Sequence, residues 1–195
     1  MIDDAHLRTH SAILSKDKRA MTLDELGPRL CILGPSNSGK STLAVAIANA
    51  RGLEAIHLDQ LHHLPDSDWV PRPAADFAAL HDATILEEGW VIEGNYTRLL
   101  PQRLARATGL LLLDVPTSVS LYRYVRRCWF ERQRHGALAG GRDSVKWAML
   151  HHILFATPAN RVRYRQIFGE SQLPKALLAS PEAIAEFYRQ NGLRR

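Results

Sequence analysis

Along the chain, short apolar runs alternate with amphipathic stretches of helical length. Residues 30–33, 55–58, 90–93 ("WVIE"), the segment "GLLLLDVP" and the segment "KALLAS" each read as a short strand. Between them, helices are expected over about 40–50, 74–86, 98–107, 117–134 and 143–168, the last interrupted at Pro158. Ser180-Pro181 supplies an N-cap and a first helical residue for a final helix. Residues 135–142, "HGALAGGR", read as a flexible excursion, and "LPDSDWVPRP" as a Pro-rich loop. Residues 1–28 lack this rhythm and end on Gly27-Pro28, so they read as an appended arm in which a short helix can form. Five apolar strands separated by helices predict a parallel α/β sheet.

The junction between the first strand and the first helix carries the strongest motif. In "LCILGPSNSGKSTLAVAIANA", residues 30–50, Gly34, Gly39, Lys40 and Ser41 stand at the spacing G-x-x-x-x-G-K-[ST]. Backbone N–H groups of such a loop surround a phosphate, and the following helix adds its positive end. The two glycines allow backbone conformations and a close approach that a side chain would block. Lys40 is placed for the β- and γ-phosphates, and the Ser41 hydroxyl for Mg²⁺. The loop Gly34, Pro35, Ser36, Asn37, Ser38, Gly39, Lys40, Ser41 and Thr42 is therefore the expected phosphate cradle.

Composition narrows the class. The 195 residues are 46% hydrophobic and 23% charged, an ordinary globular balance that suits one domain after the arm, residues 29–195. Cys31 and Cys128 sit among apolar neighbours and read as buried thiols of a cytoplasmic protein, with neither disulfide nor metal spacing. Asp3 and Asp4 argue against a secretory leader, and no run approaches the ~20 apolar residues of a membrane span. A monomer or weak dimer without membrane association is expected. The net charge of +5 is concentrated: residues 115–170 hold nine Arg and one Lys against three acids. A solvated helical face and an anion-binding surface both fit that block.

Ligands of parallel α/β sheets gather beyond the carboxyl ends of the strands. Asp59, Glu93 and Asp114 stand at such ends. One of them is expected to complete the Mg²⁺ shell or hold its waters. Asp114, followed by Val115-Pro116, also suits a purely structural role. Asp59 can accept a proton from, or orient, an acceptor hydroxyl. A phosphate acceptor would instead use arginines, with Arg72, Arg98 and Arg103 available. His57, His62 and His63 match no strong metal-ligand spacing. Trp69 can stack on a base or pack in the core.

Together "GPSNSGKST", "HLDQLHHLPDSDWVPRP", "WVIEGNYTR", "LLLLDVPTSVSLYRYVRR" and "LLASPEAIAEFY" resemble the adenylate-kinase-like P-loop family of DNA topology modulation proteins. The resemblance covers about residues 30–190. It implies a three-layer α/β/α P-loop NTPase fold of nucleoside-monophosphate-kinase type, with a five-stranded parallel sheet, a short lid around 130–165 and binding of ATP with Mg²⁺. Carried over residue by residue, it implies that Glu93 approaches the Mg²⁺ waters and that Arg123 and Arg127 meet the nucleotide. Arg98 is the nearest match to the arginine that holds the substrate phosphate, one residue farther from the acid. Arg161, Arg163 and Arg165 can form a second arginine edge. The lid, "RHGALAGGR", carries no zinc cysteines. Two functions remain: a kinase acting on a nucleotide, nucleoside or related metabolite, and a nucleotide-dependent, DNA-associated ATPase. No recognised nucleic-acid-binding motif is present, which weighs against the second.

Overall fold

The computed structural model describes residues 21–67, 69–130 and 157–194, with side chains described for all of these except 127–130 and 157–159. Its elements run α1 Leu23–Leu26, β1 Arg29–Leu33, α2 Lys40–Arg51, β2 Ala55–His57 and α3 Leu58–His62. There follow α4 Ala74–Ile85, β3 Trp90–Glu93, α5 Leu100–Arg106, β4 Gly109–Leu113 and α6 Thr117–Phe130. The chain is then described again through α7 Thr157–Glu170, β5 Lys175–Leu178 and α8 Pro181–Gln190. The excursion at 135–142 and the expected helix before Thr157 lie outside the described residues.

All five strands are parallel, in the order β2-β3-β1-β4-β5. Strand side chains alternate between faces, and both faces are covered, so the strands read as unbroken apolar runs rather than as alternation. Leu30 and Ile32 of β1, Val91 of β3 and Leu111 and Leu113 of β4 join one core, with Leu43 and Ile47 of α2 and Phe187 of α8. Cys31 and Leu33, Trp90 and Ile92, and Leu110 and Leu112 join the other, with Phe77 of α4, Leu100 of α5 and Tyr164 of α7. Three layers result. Cys31 is a buried thiol, as its neighbours imply.

Two elements depart from the sequence pattern. The second strand stops at His57, one residue short of the expected end, and Leu58–His62 forms α3, a helix not expected ahead of the Pro-rich loop. The packed unit also begins before residue 29. In α1, Thr22 and Glu25 form a reciprocal capping box. The Leu23 N–H donates to Asn191 Oδ1 at 2.7 Å, and Arg51 Nη1 donates to Gly27 O at 2.6 Å. Leu23 and Leu26 are buried in the first core, so these residues are part of the domain's interior rather than a free arm.

Truncation should therefore be felt between residues 21 and 27. Burying a leucine contributes roughly 1.5–3 kcal/mol, so a chain starting at residue 28 should be about 4 kcal/mol less stable than one starting at 21. That corresponds to a melting temperature lower by roughly 10 °C. Thermal melts of the two truncations that coincide would show that α1 contributes nothing.

Candidate active site

The backbone leaves β1 in a curl that few residues can follow. Gly34 has φ 144°, Asn37 62° and Gly39 102°. A Cβ on Gly34 would sit 2.2 Å from the Leu113 carbonyl oxygen, so β4 permits only glycine there. Gly39 is the N-cap of α2 and offers no side-chain hydrogen bond to that helix's first turn. The leading N–H groups of a twelve-residue helix thus face the loop. Lys40 folds back over it, Nζ donating to Pro35 O at 2.9 Å. From α6, Arg123 Nη1 donates to Ser38 O at 2.5 Å and lies 3.3 Å from where a Gly39 Cβ would be. The loop, Lys40 and Arg123 form one cationic cradle.

Glu93 ends β3 beside it. Ser41 Oγ donates to Glu93 Oε1 at 2.9 Å, and His57 Nδ1 lies 2.9 Å from the same oxygen. His57 and Glu93 are cross-strand neighbours in the β2–β3 register, and both are buried. Burial alone would raise the Glu93 carboxyl, but the His57 hydrogen bond, the Lys40 charge and the Ser41 hydroxyl together hold it below the usual range. An ionised carboxylate only accepts, so His57 presents its Nδ1–H. This arrangement occupies Oε1 and leaves Oε2.

Ser41 Oγ and the Glu93 carboxylate are hard oxygen donors of the kind magnesium takes. Among the described residues no group of three or more His, Cys, Asp or Glu can hold a metal ion by itself. The donor set fits Mg²⁺ arriving with nucleotide phosphates, which complete its shell, and does not fit a resident all-protein site.

Beyond Gly94, the next two residues tie neighbouring segments. Asn95 Oδ1 accepts from the Gly34 N–H at 3.2 Å, and Asn95 Nδ2 donates to Gly34 O at 3.0 Å. This amide continues the β1–β3 ladder where the two strands part. Tyr96 donates its hydroxyl to Asp59 Oδ1 at 2.7 Å. The Tyr96 ring packs against His62 and Phe77, with centroids 4.9 and 5.1 Å away. Trp69 packs on His63 with centroids 5.1 Å apart, in an excursion closed by a bridge from His63 to Pro71.

Several sequence expectations are redrawn by these contacts. Arg72, expected free for an acceptor phosphate, donates its Nε to Leu61 O at 3.0 Å and its N–H to His62 O at 2.7 Å, closing the Pro-rich loop. Arg103 is fully buried, with Nη2 donating to Gly94 O and Asn95 O, so it supports the β3 exit from beneath. Arg98 is exposed after that exit. Asp114, 3% exposed, accepts from Arg161 Nε at 2.6 Å and Arg165 Nε at 2.5 Å, which makes it the anchor of α7. The Arg127 side chain lies outside the described residues. Asn95 and Tyr96 were not singled out by sequence, and His57 was named only as one of three histidines without metal-ligand spacing. Only the "EGNY" string hinted at Asn95 and Tyr96, while His57 is explained by register.

No family model and no curated protein matches the chain. Among solved structures, a gluconokinase from Sinorhizobium meliloti 1021 is similar at 20% identity, covering 86% of this chain and 95% of that one, with a TM-score of 0.50. The fold is the P-loop NTPase α/β fold. An unliganded sugar kinase from Janibacter sp. HTCC2649 matches at 20% identity over 83% of this chain and 90% of its own, with a TM-score of 0.48. No helix among the described residues is long and apolar enough to cross a membrane.

Proposed function

We propose that this P-loop protein is a phosphotransferase that uses ATP with Mg²⁺ to phosphorylate a small molecule. The observation that carries the reading is the convergence of Lys40, Ser41 and buried, ionised Glu93 around a loop of positive-φ residues at the head of α2. Phosphoryl transfer asks mainly for positioning and for cancellation of charge on the γ-phosphoryl oxygens. The α2 amides and Lys40 hold the β- and γ-phosphates. Ser41 and Glu93 would hold Mg²⁺ and its waters, and the metal would supply charge neutralisation. Arg123, already seated on the loop, adds a guanidinium on the nucleotide side, and Arg127 is assigned the same role from the resemblance. The neighbour named as a gluconokinase and the order of "HLD", "EGNY" and "LDVP" at three strand exits support the same reading.

Titration calorimetry with a non-hydrolysable ATP analogue tests it. Magnesium should tighten binding to the wild type. Ser41→Ala should weaken the magnesium-bound form by about tenfold while sparing metal-free binding, because only the metal shell loses a ligand. Equal losses with and without magnesium would remove Ser41 from the metal.

A further inference from the structure

The exits of β2 and β3 are joined by two side-chain rungs. The lower rung is His57–Glu93, buried and turned toward the phosphate loop. The upper rung is Tyr96–Asp59, whose carboxylate is exposed. Asn95, which directly precedes Tyr96, bonds both backbone groups of Gly34, so the upper rung borders the phosphate loop.

From this second rung we infer that the acceptor is an alcohol, taken by its hydroxyl at Asp59, and not a phosphate ester taken by arginines. The inference rests on the kinase reading above and adds the class of acceptor.

The upper rung presents a fixed carboxylate. Tyr96 donates to Oδ1, and its own ring is wedged between His62 and Phe77. Burial first, then the Asp59 charge, push the Tyr96 hydroxyl far above the usual phenol range, so it stays a donor. That leaves Oδ2 of the exposed Asp59 carboxylate as the acceptor for a substrate O–H, a charge-assisted hydrogen bond. Burial, then the charge of neighbouring His63, hold His62 below its ordinary range against the pull of Asp59, so the wall beside the carboxylate is neutral.

A phosphate monoester carries close to two negative charges at neutral pH. Placed here it would face the Asp59 carboxylate, while two of the described arginines read as candidates for it are drawn to backbone carbonyls. Arg72 is turned onto Leu61 O, and Arg103 is buried beneath Gly94 and Asn95. Among the described residues, exposed Arg98 is the candidate that tests the rival assignment.

The step balances as follows. The acceptor oxygen forms a bond to the γ-phosphorus while the bond from that phosphorus to the β,γ-bridging oxygen breaks. The hydroxyl proton passes to Asp59 Oδ2, ADP leaves, and the proton is later released to water. Asp59 is the catalytic residue of this step, and Tyr96 is a positioning residue that acts through it.

The test is ADP release from Mg·ATP with sugars, polyols and nucleosides in one arm and phosphate esters of the same compounds in the other. A hydroxyl compound should accelerate release, and its phosphate ester should not. Asp59→Asn, an exposed substitution whose folding a thermal melt verifies, should lower that rate by about 10²-fold or more while calorimetric affinity for an ATP analogue is unchanged. Tyr96→Phe should lower kcat by about tenfold with KM for ATP unmoved, a split that simple loss of packing would not give. Preference for the phosphate esters, loss of that preference in Arg98→Ala, or a fully active Asp59→Asn would overturn the inference. So would a wild type that binds the analogue yet responds to neither arm; in all these cases the nucleotide site stands. A wild type that fails to bind the Mg·ATP analogue would overturn both readings.

Discussion

Lys40→Ala should reduce ATP turnover by about 10²–10³-fold, the loss found when one preorganised charge-stabilising donor is removed from a transition state. Lys40 is half-buried, and its ammonium bonds to Pro35 O in the protein's own loop. It also helps to keep Glu93 ionised. Its removal therefore withdraws a cation from the γ-phosphoryl group and weakens the grip on the carboxylate that serves the metal. The fold should survive, because no core apolar contact is lost. ADP release measured beside a thermal melt checks both halves. A variant that keeps wild-type turnover and wild-type ATP affinity would remove this loop from the chemistry.

Gly34→Ala should be the most damaging single methyl in the described chain. The new Cβ would meet the Leu113 carbonyl at 2.2 Å, and φ 144° is itself costly for an L-residue. Neither partner can yield cheaply, since Leu113 is paired within β4 and β5. Strain and overpacking together should cost about 3 kcal/mol or more. At this chain length that lowers the melting temperature by roughly 10 °C. Gly52→Ala is the control. Gly52 also has positive φ, 64°, but nothing lies within 4 Å of its would-be Cβ. It should lose only the conformational part, about 1 kcal/mol. Equal losses at the two positions would show that β4 does not shape the loop.

The strands and the loop were legible because local chemistry alone determines them. Unbroken apolar runs require a sheet covered on both faces, and the spacing from Gly34 to Ser41 requires one kind of turn. Helix α3 was not legible. "LDQLH" is a single turn with two leucines, too short to show a period, and it starts directly on a strand. The roles of Arg72, Arg103, Arg161 and Arg165 were hidden for another reason. An arginine reads as a surface cation until the backbone carbonyls or the carboxylate that it meets are known, and those come from distant segments. His57 shows the same limit: nothing in "AIHLD" says that its ring faces Glu93, because strand register is a property of the pair.

The two rungs between β2 and β3 also have a mechanical consequence. His57–Glu93 and Tyr96–Asp59 fasten the phosphate-loop side and the proposed acceptor side to the same pair of adjacent strands, and Arg72 cross-ties the excursion that follows α3. A hinge needs a few backbone positions that are free to change their dihedral angles. Among the described residues between His57 and Arg72 few are free in this way, since both ends of the segment are bonded to one another and to the sheet. If the proposed acceptor site is right, that wall should behave as a fixed anvil whose distance from the phosphate loop is set by strand spacing.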